Sequence, residues 1–274
     1  MIILGILACR IFEDELIHLL KKKNDFDQII LFNNKESQIS FESKLITFHV
    51  PYQTCMSYSE FNSILEKNKS SNKILFIKLV GLRLHTYPEL LKKYIYDEIK
   101  EIQQQTSINN ILLFYGLCGN VLGNVEKDFT TSSFQVFILK ESNGDIVDDC
   151  IGAVLEGRQN YLKLLKSFNR VGTLIQIPME AMVCDDFLLE DYLNQGVSEK
   201  KARKMIKSMY KLSHYEKILF LDTGLPYTNL DLAKQKSKEH ATYYNLEYSE
   251  VKMGTQKLFL KNYCSIIEKL LPIK

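Results

Sequence analysis

No stretch of the chain approaches the roughly 18 consecutive apolar residues that a membrane-spanning helix needs. An excess of charge of one sign is also missing. Lys and Arg number 35 against 33 Asp and Glu, a formal net charge of +2. No global field therefore draws the chain to nucleic acid or to a membrane surface. The basic run Lys21-Lys22-Lys23 closes a predicted helix, where cations suit the helix dipole. No repeat of about 20–50 residues, low-complexity tract or obvious linker interrupts the sequence. No Gly-x-Gly-x-x-Gly, Walker loop or Gly-x-Ser-x-Gly elbow occurs, which counts against nucleotide cofactors and serine hydrolysis. There is no Cys-x-x-Cys pair, so zinc-ribbon and ferredoxin motifs are excluded.

What remains is ordinary globular material: 274 residues, 46% hydrophobic and 25% charged. That length fits one large domain or two small ones with ample core. The apolar start Met1–Ala8 is short, has no basic leader and runs at once into Glu13-Asp14-Glu15. It reads as a buried strand and not as a signal peptide. Six scattered cysteines in a mid-sized chain fit a reducing, cytoplasmic compartment. Metal binding, catalysis and core packing are then their possible uses.

Short apolar runs alternate with longer amphipathic stretches. Strands are predicted at Ile2–Ala8, Gln28–Phe32, Leu45–Val50, Lys73–Leu79, Asn110–Tyr115, Phe134–Leu139, Thr173–Ile177, Lys217–Leu221 and Glu247–Val251. Most lack polar alternation, as strands buried on both faces do. Helices are predicted at Glu13–Lys23, Pro88–Gln105, Ile151–Phe168, Ser198–Leu212, Asp231–Tyr243 and Thr255–Leu271, with a helix-like stretch at Pro178–Leu193. The expected fold is α/β: a largely parallel, Rossmann-like sheet flanked by helices, in one body or in two lobes. The chain is read as a single α/β domain, with a candidate lobe boundary at Asn194–Lys201.

Open parallel sheets bind ligands at the carboxyl ends of their strands. Four reactive side chains are predicted there. Cys9 follows the first strand, His85 lies between a strand and the helix begun by Pro88, Cys118 follows Asn110–Tyr115, and Cys150 opens a helix. A helix N-terminus favours thiolate, which is both nucleophile and metal ligand. Gly116 and Gly119 would let the backbone bend tightly or approach a bound group. Three Cys with one His make a ligand set for tetrahedral zinc, and three Cys can hold an iron–sulfur cluster. The blander alternative is weighty, because a lone cysteine is usually a small buried hydrophobe.

Several segments occur together in order: Ile6-Leu7-Ala8-Cys9 with Glu15-Leu16, Leu84-His85-Thr86-Tyr87-Pro88, Tyr115-Gly116-Leu117-Cys118-Gly119-Asn120, and Asp149-Cys150-Ile151 with Gly157-Arg158 and Tyr161. Asp222-Thr223-Gly224 and Gly254 follow. With these segments the chain resembles the domain-of-unknown-function family 1638 over nearly its whole length. The resemblance implies one site formed by Cys9, His85, Cys118 and Cys150. It also implies a link to accessory proteins of anaerobes that run corrinoid-dependent methyl transfer, hence one-carbon metabolism. One departure stands out: the family often has His before Asp-Cys-Ile, and here that residue is Asp148. The stretch Pro178–Tyr210 also matches the family pattern poorly.

Other residues have competing readings. Arg158 could bind an anionic group or make a surface ion pair. Tyr115 could donate to a ligand or simply be a half-buried strand tyrosine. Asp149 fits a general base, a ligand-orienting group or a helix cap. Cys55 is assigned to a polar loop and Cys264 to packing; Cys184, beside Asp185-Asp186, is read as packing first and as a peripheral ligand second. His18 is assigned a structural role, and His49, His214 and His240 solvated or hydrogen-bonded roles.

The leading expectation is a metalloprotein of anaerobic one-carbon metabolism, read as a metal-dependent transferase or lyase. Cys9, Cys118 and Cys150 supply thiolates to a 4Fe–4S iron–sulfur cluster or to zinc, with His85 as fourth ligand or acid–base group. A metal carrier or corrinoid-protein partner without turnover is the second reading. A metal-free enzyme with one cysteine nucleophile and His85 as its base is the third. The expected partners are a small-molecule substrate and a corrinoid protein or methyltransferase, with no nucleic acid and no membrane; a homodimer stays open.

Overall fold

Apolar runs without polar alternation pair as parallel strands, because helices cover both of their faces. The computed structural model describes residues 1–23, 25–33, 39–68, 71–252 and 257–270. The chain divides into two compact units, Met1–Arg158 with Gln256–Lys274, and Gln159–Thr255. The candidate seam at Asn194–Lys201 falls inside the second unit, at a turn between two of its helices.

In the first unit the strands are β1 (Ile2–Cys9), β2 (Gln28–Phe32), β3 (Gln53–Cys55), β4 (Lys73–Val80), β5 (Asn110–Phe114) and β6 (Gln135–Ile138). They form one parallel sheet in the order β3-β2-β4-β1-β5-β6. Its helices are α1 (Glu13–Lys22), α2 (Ile39–Thr47), α3 (Tyr58–Lys67), α4 (Pro88–Gln105), α5 (Val125–Phe129), α6 (Cys150–Val154) and α11 (Lys257–Leu270). Right-handed crossovers put α1 and α2, which carry the chain outward to β3, on one face. The same rule puts α3 and α4, which bring it back across β1, on the other. The packing agrees: α1 lies against α2 and α11, α11 against α6, and α3 against α4. Each face has its own aromatic cluster. Phe259 of α11 packs on Phe12 and Phe114 with ring centroids 5.0 and 5.5 Å apart. Phe76 of β4 packs on Phe61 and Phe32 at 5.0 and 6.0 Å.

The second unit holds α7 (Arg158–Ser167), β7 (Gly172–Gln176), α8 (Pro178–Asn194), α9 (Glu199–Leu212), β8 (Tyr215–Asp222), α10 (Leu230–Tyr244) and β9 (Glu247–Lys252). Its three strands are parallel in chain order. Ala202, Ile206 and Tyr210 of α9 pack with Ile218, Ala241 and Tyr244. A hydrogen-bonded line runs through this core: His240 Nδ1 lies 2.6 Å from Asp185 Oδ1, and Nε2 lies 3.0 Å from the Tyr210 hydroxyl.

Three local expectations are corrected. Leu45–Val50 is not a strand. Phe41 and Leu45 stand one helical turn apart on a buried face, and that spacing makes α2 while Ile46 stays exposed. Cys55 is not in a loop; it ends the short strand β3 and is fully buried. The predicted helix Ile151–Phe168 is two helices, because Glu156 (φ 64°) and Gly157 (φ 118°) adopt left-handed backbone between them. The helix α3 was not foreseen. Ser57 caps it, accepting from Glu60 N at 3.1 Å, while Met56 N donates to the Glu60 carboxylate at 2.7 Å.

Two clusters of buried charge hold the first unit's sheet and helices in register. Lys78 sits in the apolar run of β4, its Nζ 2.5 Å from Glu98 of α4, 3.3 Å from the Tyr58 hydroxyl and 4.1 Å from the Phe32 ring centroid. Tyr58 also hydrogen-bonds Glu98. Burial pushes the Glu98 carboxyl up and the Lys78 ammonium down, so each charge depends on the other. The second cluster is the first turn of α1, where Glu13, Asp14 and Glu15 are all buried. Lys44 of α2 reaches Glu13 at 3.0 Å and Asp14 at 2.7 Å, and Arg10 reaches Glu13 at 2.8 Å. Glu15 Oε2 has no hydrogen-bond partner among the described residues. Burial, and then the neighbouring Asp14 charge, push its carboxyl up to about 8.

Glu98→Ala leaves the Lys78 ammonium buried without its counter-charge and is expected to cost about 3–5 kcal/mol in urea unfolding. The Lys78→Met/Glu98→Leu pair is expected to recover most of that loss; a single variant as stable as the parent contradicts the role of the pair. For Glu15 the folded state holds its proton more tightly than the unfolded chain does. Its contribution to stability is therefore full below the unfolded value near 4.5 and is lost as pH rises toward 8. Glu15→Gln, which cannot titrate, should gain on the parent between those values by up to about 1.4 kcal/mol per pH unit. Unfolding curves at several pH values check this, and a constant difference across the range refutes it.

Candidate functional site

The chain leaves β1 toward β2 and leaves β5 toward β6, yet β1 and β5 are neighbours. Connections that part in this way open a crevice at the carboxyl ends of the two strands. Cys9 is the last residue of β1, in register with Val80 of β4, and is 8% exposed. Tyr115 follows β5 directly and is 3% exposed. Its hydroxyl is buried with no hydrogen-bond partner among the described residues. Burial raises the Tyr115 phenol well above its ordinary range, and the charges of Cys9 and Cys118 raise it further. Both thiols thus stand within electrostatic reach of one buried hydroxyl.

Gly116 makes the next step possible. A Cβ there would lie 2.5 Å from the Val147 carbonyl oxygen and 2.9 Å from Asp149 N. With no side chain, the two loops meet: Leu117 N donates to Val147 O at 2.8 Å and Cys118 N to Asp148 O at 3.0 Å. The backbone then turns through three left-handed residues, Cys118 (φ 46°), Gly119 (φ 76°) and Asn120 (φ 66°). A Cβ on Gly119 would lie 3.3 Å from Pro88 Cγ, which sets this turn against the start of α4. Burial pushes the Cys118 thiol up to about 11; a Gly116 backbone hydrogen bond opposes the rise and the Asp149 carboxylate adds to it.

Asp149 has the capping role open to it in the sequence: its Oδ1 accepts from Gly152 N at 2.7 Å at the head of α6. Cys150 is the next residue, half-buried, at the first position of that helix. Arg158 is engaged by Asp148, through Nε at 3.0 and 3.2 Å and through Nη2 at 2.5 Å. That ion pair holds the Asp148 carboxyl below its usual range. Asp148 is thus committed to a guanidinium. The backbone of His85 lies in a 3₁₀ turn, Leu82–Thr86, after β4. Its side chain lies outside the described residues, as does Gly254.

The crevice therefore gathers Cys9, Tyr115, Gly116, Cys118 and Asp149, with Cys150 adjacent in the chain. None of the six cysteines is in a disulfide. Among the described residues no three His, Cys, Asp or Glu side chains stand close enough together to hold a metal ion. No described helix is long and apolar enough to cross a membrane. Two buried clusters escaped sequence reasoning, Lys78–Glu98–Tyr58 and Asp185–His240–Tyr210. Only the lysine inside Ile77-Lys78-Leu79 signalled the first; nothing local signalled the second.

A family model described as "Protein of unknown function (DUF1638)" matches residues 79–260, more than half of the chain. The chain belongs to this family. The match includes His85, Cys118, Cys150 and Arg158 of the DUF1638 protein, while Cys9 lies outside it. No curated protein matches the chain. Among solved structures it is similar to a tRNA delta(2)-isopentenylpyrophosphate transferase from Staphylococcus epidermidis, at 12% identity over 98% of this chain and 100% of that one. The TM-score is 0.28, and at that value the likeness carries no argument about either fold or activity.

Gly116→Ala forces the 147–149 backbone away and is expected to cost about 1–3 kcal/mol. The loosened turn should also make Cys118 react faster with iodoacetamide at fixed pH. Unfolding curves and mass-spectrometric alkylation rates test both, and a variant unchanged in each shows that the close approach does not hold the crevice together.

Proposed function

We propose that this DUF1638 protein is a thiolate-centred metalloprotein in which Cys9, Cys118 and Cys150 bind a 4Fe–4S iron–sulfur cluster or zinc, with His85 as fourth ligand. The observation that carries this reading is the buried, unpartnered Tyr115 hydroxyl within reach of two thiols at the sheet's crevice. A buried donor without a partner costs about 1–3 kcal/mol, and a bound group offers it an acceptor. The donor set is chemically apt, since thiolates suit both centres. The described side chains do not by themselves make a three-donor cluster. The ligand set therefore depends on His85 and on Cys150, one residue beyond the Asp149 backbone that meets Gly116.

Bound there, a cluster supplies an electron carrier or Lewis acid, and zinc supplies an activated thiol or water. Gly116 holds the two ligand loops together, Asp149 fixes the backbone from which Cys150 projects, and Tyr115 presents a proton to the occupant. The setting proposed is one-carbon metabolism, by association of the family that the cysteine boxes resemble with corrinoid-dependent methyl transfer. A small molecule would be the substrate and a corrinoid protein or methyltransferase the partner. A cysteine nucleophile working without metal fits less well. Burial pushes the Cys118 thiol up to about 11, which counts against it as a metal-free nucleophile, whereas a bound metal would itself displace the thiol proton.

Protein purified without oxygen should contain iron and acid-labile sulfide, or zinc, near stoichiometry, and Cys118→Ala should lose it. A visible absorption spectrum distinguishes the two centres. Protein that holds no metal and takes up none on reconstitution overturns the proposal, and rapid alkylation of a single cysteine at neutral pH would then favour the nucleophile.

A further inference from the structure

Helix α9 has one face that the second unit buries and one that it does not. Ala202, Ile206 and Tyr210 belong to the unit's core. On the outward side Met205 is 40% exposed, Met209 39% and Leu212 80%. These three recur at i, i+4 and i+7, which makes one continuous apolar stripe. Lys200, Lys201, Lys204, Lys207 and Lys211 surround it, all exposed. None of these five makes an ion pair among the described residues, and the helix's single acid, Glu199, is held by Arg203 at 2.8 Å. Beside the stripe lies a groove of about 510 Å³ lined by Tyr192 of α8 with Lys201, Lys204, Met205, Met209 and Leu212.

Five unpaired cations around exposed apolar side chains repel one another and leave apolar surface in water. Both costs fall when an anionic, partly apolar surface covers the face. Methionine side chains adapt their shape to such a surface. The stripe is only three side chains over two turns and has no Trp or Phe to anchor in a bilayer, which favours a protein partner over a membrane surface. We propose that this face of α9 docks an acidic amphipathic helical segment of a partner protein, its apolar side in the groove and its carboxylates against the lysines. The inference does not depend on the thiol crevice.

A displayed library of short random peptides, selected on the full chain and counter-selected on the Met205→Ser/Met209→Ser variant, tests it. The enriched peptides should carry net negative charge and apolar residues at helical spacing. They should bind the parent at least about tenfold more tightly than the serine variant, and Lys201→Glu/Lys204→Glu should weaken them similarly. All four substituted side chains are exposed, and unchanged melting curves confirm that each variant is folded. Enrichment of nothing, of peptides lacking acid or helical spacing, or of peptides that the serine variant binds equally well overturns the proposal. So does a parent that binds anionic phospholipid vesicles, or itself, through this face while ignoring the acidic peptides.

Discussion

The contact on which the candidate site depends is the meeting of two backbones at Gly116. Leu117 and Cys118 donate to the carbonyls of Val147 and Asp148, and the absence of a side chain at 116 is what allows it. Through that contact, residues more than 30 positions apart become one structure: Cys118 on one loop, Asp149 and Cys150 on the other. The same contact leaves Asp149 free to cap α6 and places the Asp148–Arg158 pair just behind. A substitution of little consequence on an exposed turn would here have to displace backbone, which has no rotamer into which to retreat.

Around that contact the crevice is built by topology. The chain parts in opposite directions from β1 and β5, so their carboxyl ends are left open to each other. Cys9 and Tyr115 stand at those two ends. Dry surroundings then govern their chemistry. Burial pushes the Cys118 thiol up and encloses the Tyr115 hydroxyl with no hydrogen-bond partner among the described residues. Under the proposal above, a metal centre would draw the Cys118 sulfur to thiolate and its sulfur ligands would accept from the Tyr115 hydroxyl.

The second unit follows a different principle. Its polar groups are largely satisfied from within: Asp185 with His240, His240 with Tyr210, Ser237 with Gln176, Gln176 with Cys184. Such a network makes one arrangement of α8, α9 and α10 better than its neighbours, because any slip strands a buried polar atom. The unit's unspent chemistry is on its surface, along α9, where exposed apolar side chains stand beside lysines that make no ion pair among the described residues.

Most of the sheet, and the edge positions of the candidate cysteines, can be read from residue order alone. Unbroken apolar runs such as Ile2–Ala8 and Lys73–Leu79 are strands wherever helices cover both faces, and a cysteine that follows one must lie at a carboxyl edge. Pattern failed where one signal masked another. The β-branched and aromatic content of Leu45–Val50 imitates a strand, but Phe41, outside that window, pairs at helical spacing with Leu45 inside it. The break at Glu156-Gly157 depends on left-handed backbone, which residue type only permits. Only the tertiary structure decided which cysteines share a crevice, that Arg158 is spent on Asp148, and that Lys78 finds Glu98 inside the core. Those outcomes are contacts between distant segments. Local propensity and periodicity describe a chain's relation to its own neighbours, and closing long loops is what brings such pairs within reach.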